Sequence, residues 1–228
     1  MAGGKYKAVF LDFYGTVADG DAEAVERVCA RVVADYGMTL SAGELAVQWG
    51  SRFFESVDAC HRAGFRTLYA CECDSLVETC LPLCGRIDPA PYADELADYM
   101  RVPPLHPEAK EVLRQLTVPV CCVSNADSDH LEAAIAHHQL AFAEVVCSED
   151  VRFYKPESEI FERALARMGL DADEVVHVGD SLHSDVQGAR AAGIDAIWVC
   201  RDRRIFDKGR GQADHKISSL KELQSFLV

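Results

Sequence analysis

The sequence predicts an α/β fold: a doubly wound parallel sheet joined to a small all-helical domain. Three observations carry this. Short continuous apolar runs stand at residues 7–13 (KAVFLDF), 118–123 (VPVCCV), 175–180 (VVHVGD) and 196–200 (AIWVC). They are too short for buried helices and lack the polar alternation of half-exposed strands. Amphipathic helical stretches separate the later runs, and apolar strands alternating with helices imply a parallel sheet covered on both faces. Between residues 17 and 103, by contrast, helical patterning continues and no convincing strand occurs.

The elements follow in order. The first strand ends in Tyr14-Gly15-Thr16. In the next stretch Val25, Val28, Val32 and Tyr36 share one helical face, with Gly37 as a C-terminal stop. Ser41-Ala42-Gly43-Glu44 has the pattern of a capping box opening a second helix. Helical pattern runs on to about residue 100, broken at Pro82, Pro89 and Pro91. After Pro103-Pro104, Pro107 suits the first position of a helix carrying Val112, Leu113 and Leu116. The strand at 118–123 ends in Ser124-Asn125, and a helix over 128–138 puts Leu131, Ala134, Ile135 and His138 on one side. A short strand (EVVCS) leads to Arg152-Phe153-Tyr154-Lys155-Pro156. The following helix turns Ile160, Phe161, Ala164, Leu165 and Met168 inward and stops at Gly169; another, after Asp180, ends near Gly193. The expected domains are a core of residues 1–16 and 104–228 and a helical cap of residues 17–103 over the mouth of the sheet. No internal repeat or low-complexity segment occurs.

Composition narrows the function classes. The chain has 228 residues and a formal net charge of −14, with 49% apolar and 26% charged residues. Nucleic acids and anionic membranes are held by clustered Lys and Arg, so neither is an expected partner. No apolar run approaches the roughly 18 residues of a membrane helix. The N-terminal apolar stretch is too short for a signal peptide and no cleavage site follows it, so a cytoplasmic location is expected. Ten cysteines in such a chain read as free thiols. Several lie in apolar strands, where a thiol packs as a small hydrophobe. Cys71, Cys73, Cys80 and Cys84 cluster, but their C-x-C and C-x3-C spacing departs from the paired knuckles of structural zinc sites.

In open α/β sheets ligands bind beyond the carboxyl ends of the strands. The residues there are Asp12, Ser124-Asn125, Lys155 in the loop after its strand, and Asp180. A carboxylate followed by a tight Gly15 turn suits a nucleophile that forms a covalent intermediate. Two carboxylates on one crevice suit Mg2+, which removes like-charge repulsion against a phosphate dianion. Lys155, Ser124 and Thr16 are placed to bind the transferred oxygens, and Asp185 to hold a metal-bound water or orient the metal's ligands. Asn125 reads equally as a turn former or a substrate contact.

These residues resemble the four ordered motifs of the haloacid dehalogenase superfamily: Asp12-Phe13-Tyr14-Gly15-Thr16, Ser124-Asn125, Lys155 in YKPE, and Gly179-Asp180 through Asp185 in GDSLHSD. The resemblance covers nearly the whole chain. It implies a Rossmann-like core with a cap inserted between the first two motifs. It also implies Asp12 as nucleophile, Mg2+ on Asp12, Asp180 and the Tyr14 carbonyl with Asp185 in support, and a phosphoryl group bound by Ser124 and Lys155. The expected activity is that of a Mg-dependent phosphatase working on a small phosphorylated molecule through an aspartyl-phosphate. Tyr14 departs from the pattern, because most phosphatases of the family carry there an Asp that acts as general acid and base. A phenol, with a reference pKa of about 10, is a poor base near neutrality. Tyrosine at this position is typical of the 2-haloacid dehalogenase branch, which attacks carbon without a metal. That branch has neutral Ser and Asn in the fourth motif, whereas this chain has acids. A 2-haloacid dehalogenase is therefore the alternative, and a binding relic of the fold a third. The phosphonate-cleaving branch uses a cap lysine, and residues 17–109 contain none. His183 in the fourth motif is a candidate to replace the missing acid. His61, Arg62 and Arg66 read as a solvated helix face or a lid. His106, His137 and His138 read as surface or helix-end residues, and RDRRIFDKGRGQ (201–212) as a basic loop before the last helix, solvated in the first reading and phosphate-binding in the second.

Overall fold

The computed structural model describes residues 5–201, Gly209 and 212–227. Six strands form one sheet in the order β3-β2-β1-β4-β5-β6, every neighbouring pair parallel. They are β1 (Ala8–Leu11), β2 (Val120–Ser124), β3 (Glu144–Cys147), β4 (Val175–Gly179), β5 (Asp195–Val199) and β6 (His215–Ile217). This is the doubly wound, Rossmann-like order expected from the sequence, and its direction of winding reverses between β1 and β4. Alternate residues of each strand feed two cores. Val9, Leu11, Cys122, Val176 and Val178 pack on one face. Ala8, Phe10, Cys121, Val123 and Val175 pack on the other with Ile160, Phe161 and Ala164 of a covering helix. Continuous burial explains why the strands read as unbroken apolar runs.

Between β1 and β2 come α1 (Asp21–Asp35), α2 (Ala42–Asp58), α3 (Leu68–Cys84), α4 (Ala90–Arg101) and α5 (Ala109–Gln115). The first four share a core built around Val28, Val32, Leu45, Trp49, Leu76 and Tyr92. The capping box at α2 forms: Ser41 Oγ accepts from Glu44 N and Glu44 Oε2 accepts from Ser41 N. Pro82 is accommodated inside α3, so it does not end that helix. A smaller apolar cluster, Val57, Cys60, Leu68, Cys71, Met100 and Tyr154, joins the helical layer to the loop after β3. Cys71 and Cys80 are buried in α3, while Cys73 and Cys84 are partly exposed, and all four are free thiols.

Helices α6 (Ser128–His138), α7 (Ser148–Val151), α8 (Ser158–Met168) and α9 (Gly188–Ala191) complete the covering layers. A wide π-type turn (Leu182–Gln187) precedes α9 where one helix was expected. Strand β6 was not foreseen, because three residues with two exposed side chains carry no apolar run. The final helix expected from sequence is a 3-10 segment over Leu220–Phe226. No described helix is long and apolar enough to cross a membrane.

The two layers differ in what one substitution costs. Ser41→Ala removes one cap and is expected to cost about 1 kcal/mol. Phe161→Ala empties a fully buried site between α8 and the sheet and is expected to cost roughly 3–5 kcal/mol. Urea denaturation of both variants measures the contrast.

Candidate active site

The site is assembled at the reversal of winding, where β1, β2 and β4 end side by side. Asp12 directly follows β1, Ser124 closes β2, and Asp180 directly follows β4. Lys155 enters from the loop before α8 and is almost fully buried, at 2% exposure. Its Nζ donates to Asp12 Oδ1 at 2.6 Å, to Asp185 Oδ1 at 2.6 Å and to the Val123 carbonyl at 3.0 Å. Ligand oxygens of Asp12, Asp180 and Asp185 lie within 4.8 Å of one another. One lysine thus faces three carboxylates.

The three acids are not equivalent. Asp185 Oδ1 also contacts His177 Nε2 at 2.9 Å, and Oδ2 accepts from the Ser181 amide at 2.9 Å. Burial opposes its charge, but Lys155 and His177 hold its carboxyl far below the usual carboxylate range. Asp12 is pushed the other way, up to about 7. Burial is the main cause, Lys155 opposes it, and the negative Asp185 and Asp180 add to it. Lys155 donates to both acids at the same distance, but Asp185 has His177 and the Ser181 amide besides, so Asp12 is the less satisfied member. Its Oδ2 is buried without a hydrogen-bond partner, as is Ser124 Oγ. Both residues line the cleft between the sheet and the helical layer.

Backbone geometry makes room for these groups. Gly15 has φ +87°, and a Cβ there would stand 2.6 Å from Asp180 Oδ2. At Gly179 a Cβ would stand 2.1 Å from Asp185 Cγ. Asn125 forms a two-point brace to the lysine loop: Oδ1 accepts from Lys155 N at 2.7 Å and Nδ2 donates to Lys155 O at 3.0 Å. Its amide is thereby spent on the chain while the residue still lines the cleft.

Several sequence expectations change. Asp185, expected to support the metal, does lie in the acidic group with Asp12 and Asp180, and it also anchors Lys155, with about three of its roughly four acceptor positions used. Thr16 is fully buried and points its hydroxyl at Asp180 Oδ1, 3.4 Å away, rather than into the cleft. Tyr14 lines the cleft, but its hydroxyl donates to the Met100 carbonyl at 2.8 Å. His106 is not a surface residue: it is 7% exposed, beside the Gly15 carbonyl and Asp19. His137 is exposed, and His138 reaches the Pro103 carbonyl. Arg62 pairs with Glu159 and Arg66 with Asp74. Arg201 pairs with Glu108, whereas 202–208, 210 and 211 of the basic stretch lie outside the described residues.

The sequence reading missed His177 and Glu72. A histidine inside the apolar strand VVHVG was the available signal for the first. Glu72 gave none, because its place depends on how α3 docks. The cleft's other wall comes from Phe53, Phe54 and Val57 of α2, Leu68 and Glu72 of α3, and Met100 of α4. Among the described lining residues Lys155 is the only basic one.

Lys155→Ala leaves Asp12 and Asp185 facing each other in the interior, an expected loss of roughly 3–5 kcal/mol at neutral pH. The loss should shrink as pH falls, because protonating Asp12 removes the repulsion, and adding Asp185→Asn should recover part of it. Denaturant titrations between pH 5 and 8 read both effects.

Residues 6–193 match the family described as haloacid dehalogenase-like hydrolase. An (S)-2-haloacid dehalogenase of Pseudomonas fluorescens is 26% identical over 227 residues, covering 97% of this chain and 96% of that protein. A phosphoserine phosphatase of Thermus thermophilus is 34% identical over 128 residues, 53% of this chain and 50% of that one. The solved L-2-haloacid dehalogenase of Xanthobacter autotrophicus superposes with a TM-score of 0.77 at 21% identity, covering 96% of this chain and 97% of its own. With the family matched across most of the chain and the site at the expected strand ends, this protein belongs to the haloacid dehalogenase-like hydrolases.

Proposed function

We propose that this hydrolase cleaves phosphate monoesters of small molecules, with Asp12 as nucleophile and with Mg2+. The observation that carries this reading is the third carboxylate. Asp180 stands within 4.8 Å of the Asp12–Lys155–Asp185 group, whose single cation already serves two acids. With all three carboxylates ionised, such a set is two positive charges short. Mg2+ fits the donors present, since Asp12 Oδ2 is a buried oxygen without a partner and Asp180 adds a second carboxylate. Asp12, Asp180 and the Tyr14 carbonyl would hold the ion, which would offset the repulsion between Asp12 and a phosphate dianion.

The chain's own residues account for the rest. Asp12 attacks phosphorus and carries the phosphoryl group as an acyl phosphate until water releases it. Ser124 Oγ, buried and without a partner, is available to a phosphoryl oxygen, and Lys155 steadies charge on Asp12 and on the transferred group. Asn125, Asp185 and His177 position Lys155. The helices of residues 17–103 serve as the cap that selects the substrate and excludes water.

A second reading, 2-haloacid dehalogenation, is supported by Tyr14 and by the full-length relatives; by whole-chain likeness alone it stands ahead. The phosphatase relatives match only part of the chain. Against the second reading stands the lining of the cleft. A 2-haloacid brings its own carboxylate into a space that holds Asp12, Asp21, Glu72, Asp180 and Asp185, with Lys155 the only base among the described lining residues.

Release of phosphate from p-nitrophenyl phosphate and of chloride from (S)-2-chloropropionate, each with Mg2+ and with chelator, separates the two. The expected result is phosphate release that requires Mg2+, is lost in Asp180→Asn and falls by several orders of magnitude in Asp12→Asn. Chloride release in chelator, without phosphatase activity, would establish the dehalogenase instead.

A further inference from the structure

Position 14 holds a tyrosine whose hydroxyl is tied to a backbone carbonyl, so the proton needed by a leaving alkoxide must come from elsewhere. The two histidines nearest in concept do not supply it. His61 places Nε2 2.6 Å from the Asp58 carbonyl and stacks on Phe153, and His183 faces Asp58 Oδ1 at 3.2 Å. Neither is among the residues lining the cleft.

Glu72 does line it, from the cap side. It stands four residues after Leu68, so both project from one face of α3 into the cleft. The first turn of α3 is fixed to the core across the domain seam. Asp127, just beyond Ser124-Asn125, accepts from Leu68 N at 2.6 Å and from Tyr69 N at 3.0 Å. One turn further along, Glu72 is therefore held on the cap wall of the cleft that Asp12, Ser124 and Lys155 line from the core.

We infer that Glu72 is the general acid and base of this site, an assignment that rests on the phosphoryl reading above. Asp12 Oδ attacks phosphorus, the bond from phosphorus to the ester oxygen breaks, and that oxygen takes the Glu72 proton and leaves as an alcohol. Water then gives a proton to the Glu72 carboxylate as its oxygen attacks the acyl phosphate. The bond to Asp12 breaks, inorganic phosphate leaves, and both acids return to their starting forms. Burial, with Asp127's negative charge adding to it, pushes the Glu72 carboxyl up to about 8, so it holds the proton at neutral pH. The other charged groups of the cleft are Asp12, Asp21, Asp180, Asp185 and Lys155. Tyr154 and Cys73 are its titratable neighbours.

The test compares a good and a poor leaving group in full-length protein with Mg2+. Glu72→Gln is nearly isosteric and neutral. On p-nitrophenyl phosphate, whose leaving group needs no proton, it should keep a burst of p-nitrophenolate while steady turnover falls about 10²- to 10⁴-fold. On glycerol 2-phosphate, turnover should fall by about the same factor with no burst. In unmutated protein kcat/KM for glycerol 2-phosphate should decline above about pH 8, and Glu72→Gln should lose that decline. Unchanged turnover of both esters, or loss of the burst along with turnover, would overturn the assignment, as would the same signature from Asp21→Asn. Failure of the unmutated protein to release phosphate from either ester would overturn the phosphoryl reading itself, a different result from any of these.

Discussion

The structure depends on one buried cation. Lys155 lies in a loop, yet its ammonium reaches the ends of β1 and β2 and the turn after β4 through Asp12, the Val123 carbonyl and Asp185. An isolated ammonium in such a place is costly, and so are two adjacent carboxylates. Each makes the other tolerable only if the strand ends, the loop brace from Asn125 and the histidine behind Asp185 are all in register. Much of the local sequence follows from this. Gly179 leaves space for the Asp185 carboxylate, and Gly15 leaves space for Asp180. His177 is fully buried because it has Asp185 as a partner. The arrangement satisfies Asp185 more fully than Asp12, whose Oδ2 is buried without a partner, and this suits the nucleophilic role proposed for it: a charge held in place and poorly satisfied until a ligand arrives.

The tyrosine at position 14 is explained by the seam rather than by proton transfer. Its ring packs against Phe13 edge to face, with centroids 5.0 Å apart, and contributes to the apolar cluster between the layers. Its hydroxyl ties the turn after Asp12 to the last residues of α4. Burial drives the phenol far above its ordinary pKa, so it stays protonated and acts as a fixed donor. A mechanical link between the helical layer and the sheet therefore occupies the position at which the resemblance to the family's phosphatases implies an acid.

Charge in the cleft follows the same division. The strand ends and the segments that follow them bring Asp12, Lys155, Asp180 and Asp185, and the helical layer brings aromatic and aliphatic surface with two further acids. In a chain with a net charge of −14, a negatively charged ligand is drawn in only where positive charge is concentrated. Among the described lining residues that concentration is a single point, Lys155, so the Mg2+ proposed above would govern which ligands the cleft accepts.

The fold was legible in the sequence because its physical causes are local. Strands buried on both faces must be apolar throughout, helices must show one apolar stripe, and a capping box needs only Ser41 and Glu44. The same locality placed Asp12, Ser124 and Asp180 at strand ends and Lys155 in the loop after β3, and the doubly wound order brought those segments together. Strand β6 escaped notice because its pairing with β5 depends on position, with little side-chain burial to mark it. What individual polar groups do was decided by the tertiary structure. Thr16 turns toward Asp180, Asp185 anchors a lysine, Asn125 braces a loop, and Glu72 faces the cleft across a seam pinned by Asp127. Residue type and spacing determine which side chains can reach a site. Partner geometry and burial determine which hold a proton or a charge there, and both arise only when distant segments are packed together.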